Sequence, residues 1–136
     1  MKLRIANKST IHELQKQFSK AFPFLKIEFF DIHSTGSLAK VHMYNANKTL
    51  AACRSNKNEG PLEVKESDTV GALKKQLWDQ YGLSAEVFRK SGNVWIETSL
   101  SNSWTLKLQN DEGKVFSDMF KGETKDEDIT DRDIWE

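Results

Sequence analysis

Residues 62–81, LEVKESDTVGALKKQLWDQY, decide the fold, because residues 3–22, LRIANKSTIHELQKQFSKAF, lie over them without a gap. Leu3 meets Leu62, Ile5 meets Val64, Thr10 meets Thr69 and Ile11 meets Val70. Leu14 then meets Leu73, Gln17 meets Gln76, Phe18 meets Leu77 and Phe22 meets Tyr81. Both copies read alike. Alternation at the start of each puts two apolar residues on one side of a short strand. A cap follows: Thr10, with Glu13 three residues on, forms a capping box, and Asp68 or Thr69 serves in the second copy. Apolar residues at spacings of three and four then mark one face of each helix. Pro23 ends the first helix, and Gly82 stands where a helix C-terminal glycine belongs.

Working outward, Phe24–Ile32 is aromatic and β-branched and reads as a buried strand, and a one-residue shift sets Ile27 on Val87. Each half carries Thr-Leu (Thr49-Leu50, Thr105-Leu106), then a polar stretch ending Glu59-Gly60 or Glu112-Gly113. The offset from Leu3 to Leu62 is 59 residues, too long for most solenoid repeats. The reading is an α+β domain built from a duplicated strand–helix–strand unit. Its expected form is a split-βαβ, ferredoxin-like sandwich with an extra hairpin and both helices on one face of the sheet. The other face would need a cover or a partner. The domain spans 1–122 in two related halves, 1–60 and 61–122, and 123–136 is an acidic, flexible tail. His33–Ser37 is expected to be a loop, Lys40–Tyr44 a short strand and Ser55–Pro61 a turn region. Glu86–Lys90 and Val94–Thr98 form a hairpin about Ser91-Gly92-Asn93, and Trp104–Leu108 adds a strand. Little fixed structure is expected from Gly122 on.

The 136 residues suit one domain, and 38% hydrophobic with 29% charged residues gives one modest core. One cysteine excludes an internal disulfide framework and the multi-cysteine zinc patterns. Twenty basic and twenty acidic residues cancel, but unevenly along the chain. Residues 1–60 carry ten Lys/Arg against four Asp/Glu, a balance of +6. Residues 61–122 carry eight against nine, and residues 123–136 two against seven, a balance of −5. No apolar run approaches the roughly 20 residues that span a bilayer, and no signal segment follows Met1. The expected location is the cytoplasm, with no membrane partner.

Leu62-Glu63-Val64-Lys65-Glu66-Ser67-Asp68-Thr69-Val70, with Leu73-Lys74, Leu77 and Gly82-Leu83, resembles the strand–helix segment of ubiquitin-like proteins. The resemblance implies a ubiquitin-like β-grasp as the rival architecture. It does not extend to conjugation, whose C-terminal Gly-Gly has no counterpart in the closing Asp133-Ile134-Trp135-Glu136. Val87–Thr98, Trp104-Thr105-Leu106 and Phe22–Phe30 are similar to a group of short uncharacterised bacterial proteins. That likeness covers most of residues 1–116 and implies a bacterial cytosolic origin and no activity.

Chemistry is sparse. His12, His33, His42 and Cys53 are the nucleophile, base and metal-ligand types, and no two histidines stand at helical zinc spacing. His12 is placed on a solvent-facing first turn. His33 and His42 bracket a loop, where a metal would need a third ligand such as Asp31. Cys53, in Ala51-Ala52-Cys53, reads as a small buried apolar residue. Ser34-Thr35-Gly36-Ser37 with Lys40 lacks the Gly-Lys-Ser/Thr of a P-loop. No catalytic, cofactor or metal residues are assigned, and the chain is not read as an enzyme. Phe88, Arg89, Lys90, Trp95 and Trp104 gather rings and cations in the hairpin and the strand after it, and are the candidate partner-binding residues. Alternation gives Val87 and Ile96 to the core and places Phe88 and Trp95 on the opposite face. The expected function is a non-catalytic interaction module, binding a protein partner or itself as a homodimer through the uncovered sheet face. A single-stranded nucleic-acid module is the alternative, with rings for stacking and residues 1–60 for phosphate contacts, and a small enzyme comes third.

Overall fold

A computed structural model of the chain describes residues 1–31 and 42–127, with side chains as far as Met119. The molecule is α+β, with three α-helices and two antiparallel sheets among the described residues. Lys2–Ile5 (β1) leads to helix Ile11–Ala21 (α1), then to Leu25–Asp31 (β2) and His42–Met43 (β3). A 3-10 turn at Leu50–Cys53 precedes Gly60–Glu63 (β4), helix Val70–Tyr81 (α2), Ser84–Ser91 (β5) and Val94–Glu97 (β6), and a second 3-10 turn at Ser99–Ser101 comes after β6. The helix Leu106–Glu127 (α3) follows. The expected loop at His33–Ser37 lies outside the described residues, as do the start of the Lys40–Tyr44 strand and residues 128–136.

The capping box at Thr10 is present: its hydroxyl accepts from the Glu13 amide at 3.2 Å, and the Glu13 carboxylate accepts from the Thr10 amide at 2.8 Å. In the second half Thr69, not Asp68, is the cap, accepting from the Ala72 amide at 3.1 Å. The Asp68 carboxylate instead accepts from the Lys65 amide. Gly82 closes α2 in the left-handed region at φ 65°, which favours glycine.

The strands do not join in the single sheet expected. β1 pairs with β4, and a separate four-stranded sheet runs β3-β2-β5-β6. A split-βαβ sandwich interleaves the strands of its two units in one sheet. Here the first strand of one half pairs with the first strand of the other, and the second with the second. Leu3 faces Leu62 and Ile27 faces Val87, so in each antiparallel pair one position that overlays in sequence meets its counterpart across the strands. Leu3, Ile5 and Leu62 from the small sheet, with Val64 just after it, share one core with Leu25, Ile27, Phe29, Ala85 and Val87 from the large one. Leu14, Phe18, Leu73 and Leu77 of α1 and α2 fill the same core.

Hydrogen bonds beyond the strands match between the halves. The Ile11 amide donates to the Lys48 carbonyl at 3.0 Å, and Val70 to Trp104 at 3.1 Å. His12 donates to Ala46, and Gly71 to Asn102, each at 2.9 Å. Thr10 bridges Thr49, and Thr69 bridges Thr105. Leu50 and Leu106, after those threonines, are both fully buried.

The strand expected at Trp104–Leu108 is not formed. The Thr105 hydroxyl accepts from the Leu108 amide at 3.1 Å, and that cap starts α3 at Leu106. The alternation of Trp104, Leu106 and Leu108 is also compatible with a helix start, which is why it misleads. Glu59-Gly60 and Glu112-Gly113 do not correspond in space: Gly60 lies in β4 and Gly113 within α3. Gly113 is where α3 crosses the sheet, and a Cβ there would stand 2.9 Å from Phe24 Cβ and 3.1 Å from Arg89 Cγ. The helix also continues past Gly122 to Glu127, into the segment expected to lack structure. Ion pairs Lys107–Asp111 and Lys114–Asp118, four residues apart, line its exposed side.

Candidate interaction surface

The β5–β6 hairpin turns through Gly92 and Asn93, with Gly92 at φ 66°. Its register pairs Phe88 with Glu97, Arg89 with Ile96, Lys90 with Trp95 and Ser91 with Val94. Directly paired residues share a face. Phe88, Lys90, Trp95 and Glu97 therefore stand on one face, and Val87, Arg89, Val94 and Ile96 on the other. The five candidate residues do not form one surface: three lie on the first face, while Arg89 and Trp104 belong to the second.

On the first face the neighbouring strand contributes Lys26, paired with Phe88 across β2 and β5. Its ammonium lies 5.7 Å from the Phe88 ring centroid and 5.2 Å from that of Trp95. Both distances fall within cation–π range. Glu28 Oε2 stands 3.4 Å from the same ammonium. The sequence reading missed Lys26. Its outward position follows from the alternation of Leu25, Ile27 and Phe29, but only the non-local pairing of β2 with β5 brings it under the hairpin rings.

On the second face Arg89 is taken up by packing. Its guanidinium lies 5.6 Å from the Trp104 ring and 5.9 Å from that of Phe116, and Nη1 donates to Gln109 Oε1 at 3.0 Å. Gln109 is fully buried and donates to the Ser101 carbonyl and hydroxyl. This group seats α3 on the sheet. Val87 is buried as expected, but Ile96 is 41% exposed, a correction to its expected core position. β6 is the outermost strand, and the covering helix lies over β5, so the core side of the sheet ends before Ile96.

All four β6 residues are exposed, Val94 and Trp95 included. The backbone direction at this edge is fixed. The Lys90 amide donates to the carbonyl of Phe24, the residue just before β2, and the Val87 carbonyl accepts from the Thr98 amide. Odd-numbered β5 residues thus bond toward β6, and even-numbered ones toward β2. Trp95 and Glu97, opposite Lys90 and Phe88, consequently aim their N–H and C=O groups outward, away from β5.

Elsewhere, Cys53 is buried, its thiol donating to the Thr49 carbonyl at 3.3 Å. Burial pushes that thiol above its ordinary value, against the lowering effect of Lys48 and Arg54. Arg54 is itself buried, donating to the Tyr81 carbonyl at 3.0 Å and to Asn7 Oδ1 at 2.6 Å. It ties the end of α2 to the loop after β1. A cavity of about 60 Å³ beside it is lined by Phe30, Tyr44, Cys53, Trp78 and Ser84. His12 and His42 are exposed, and His42 pairs with Asp31 across β2 and β3. His33, Ser34–Ser37 and Lys40 lie outside the described residues. Among the described residues no group of three or more His, Cys, Asp and Glu is placed to hold a metal, and no helix is long and apolar enough to cross a membrane. Comparison with protein-family models, curated proteins and solved structures found no match.

Proposed function

We propose that the chain is a non-catalytic protein-interaction module that makes contact through the β5–β6 hairpin, with Trp95, Phe88 and Lys90 at the centre and Lys26 beside them. One observation carries this reading: Val94, Trp95 and Ile96 are exposed together on an edge strand that is unpaired among the described residues. Sheet edges in folded chains are usually blunted, and adjoining exposed apolar residues mark contact sites. Tryptophan is a favoured interface anchor, and a cation held near two rings adds polar recognition to the same spot. Arg89 and Trp104 act in this reading as internal support, fixing the strand that carries Phe88 and Lys90. A bacterial, cytoplasmic setting belongs to the same proposal.

The architecture we propose is a duplication, with each half supplying one strand–helix–strand unit across a pseudo-two-fold axis. The pairing of Leu3 with Leu62 and of Ile27 with Val87, and the matched hydrogen bonds of the threonine bridges, support it.

Lys26 between the Phe88 and Trp95 rings also favours a second reading, a platform for single-stranded nucleic acid, on which bases stack and lysines meet phosphates. Affinity capture from native lysate, with and without nuclease, separates the two. A protein catch that resists nuclease and is lost in Trp95→Ala supports the interaction module. A catch that vanishes with nuclease supports the second reading. Capture unchanged in Trp95→Ala contradicts both.

A further inference from the structure

We propose that the β6 edge pairs with the β6 edge of a second copy of this chain, joining two four-stranded sheets into one of eight strands. The inference rests on the hairpin as the contact surface and names its occupant. Edge strands are kept from self-association by lysine, proline, bulges or inward charges. β6 reads Val94-Trp95-Ile96-Glu97 and pairs with β5 in unbroken register, so it has neither lysine, proline nor bulge. Among the described residues, its outward hydrogen-bonding groups, those of Trp95 and Glu97, have no strand partner.

Two identical edges meeting antiparallel are related by a two-fold axis perpendicular to the sheet, so that each face continues into the same face of the copy. Only residues of equal parity can then oppose one another. With the axis at Trp95, the Trp95 amide and carbonyl bond those of the copy's Trp95, a hydrogen-bonded pair in the antiparallel pattern. Val94 then opposes the copy's Ile96, covering the apolar side chains left bare on the second face. Glu97 opposes the copy's Asn93, whose amide suits a carboxylate. No like charges are set directly opposite. The chain's formal net charge of zero leaves two copies without overall repulsion. This complementarity favours a second copy over an unrelated strand.

Sedimentation equilibrium of the full chain tests it. The expected result is a concentration-dependent rise to twice the 15.6 kDa of one chain. Trp95→Pro removes the outward N–H without touching a bond inside the hairpin, and should hold the chain monomeric with an unchanged circular dichroism spectrum. Should that variant lose its fold, Ile96→Lys, at an exposed position, stands in with the same expectation. Register is read from Trp95→Cys in a Cys53→Ala background. The two Cα atoms of a hydrogen-bonded pair lie about 5.5 Å apart, within disulfide range, so mild oxidation should give a covalent dimer. A wild type that stays monomeric at all concentrations overturns the inference, as does a dimer indifferent to both edge variants. A dimer that fails to cross-link at position 95 overturns the register. A monomeric wild type whose capture of another protein still depends on Trp95 would remove self-pairing and leave the interaction reading standing.

Discussion

Arg54 is a cation held inside the protein by two neutral oxygens, the Tyr81 carbonyl and Asn7 Oδ1. Placed at the C-terminal end of α2, it also meets the negative end of the helix dipole. Hydrogen bonds to charged groups contribute about 1.5–3 kcal/mol, so Arg54→Met should lower stability by roughly that amount in urea unfolding. Beside it, Cys53 and Tyr44 set a pH dependence. Burial raises the Cys53 thiol above 9.0. Burial first, and then the charges of Asp31 and Cys53, raises the Tyr44 phenol above 10.0. Both groups hold their protons more tightly when folded. Their contribution is complete below the unfolded values and is lost as pH rises through the folded ones. The unfolding midpoint should therefore fall as pH climbs from about 8 to about 11, spanning the ordinary thiol and phenol ranges. Cys53→Ala should flatten the first part of that fall. The same burial keeps the thiol slow toward a thiol reagent in the native state and fast after unfolding. At this scale the sequence was informative where chemistry is local: the short apolar setting of Ala51-Ala52-Cys53 marks a buried cysteine. The role of Arg54 was hidden, because Asn7 and Tyr81 are far from it in sequence.

At the level of elements, Leu14 and Leu73 sit at matching centres of α1 and α2 and are both buried. Leu14→Ala and Leu73→Ala should each cost about 2–5 kcal/mol, measured by denaturant unfolding. An unchanged midpoint in either would mean that its helix is not packed as described. Gly113→Ala tests how α3 is seated. A Cβ would press on Phe24 Cβ and on the Phe24 carbonyl, itself 3.1 Å away, and backbone cannot swing aside as a flexible side-chain end can. Alanine raises intrinsic helix propensity by about 1 kcal/mol over glycine, so on an open surface the change would stabilise. Here a lowered melting temperature is expected instead. The caps, the helix faces and the hairpin turn were legible because each rests on residues within four of one another. α3 was not. Its start at Thr105 resembles a strand by alternation, and the contact that requires Gly113 comes from Phe24, just before β2 and far away in sequence.

For the whole molecule, overlaying residues 3–22 on 62–81 showed two stretches of similar pattern but not how their strands pair. Local pattern fixes which face of a strand is apolar. It does not choose between one interleaved sheet and two sheets of like strands, because both bury the same residues. The candidate surface was legible in part for the same reason. Alternation placed Phe88 with Lys90 and Trp95, whereas Lys26 joins them only through strand pairing and Arg89 with Trp104 leaves them through α3. Three tryptophans are exposed among the described residues; Trp104, 36% exposed, is engaged by Arg89, which leaves Trp95 and Trp78 to compete for the functional role. The hairpin carries Trp95 at an edge unpaired among the described residues, and α2 carries Trp78, which is 47% exposed against 38% for Trp95. Exposure alone would make Trp78 the better contact, while edge geometry and the neighbouring Phe88 and Lys26 favour Trp95. The most direct measurement is site-specific photo-cross-linking in native lysate, with a benzophenone amino acid placed once at 95 and once at 78. The account predicts nuclease-resistant protein adducts, to a second copy or to another protein, from position 95 and none from position 78. Equal adducts from both positions, or none from 95, would contradict it.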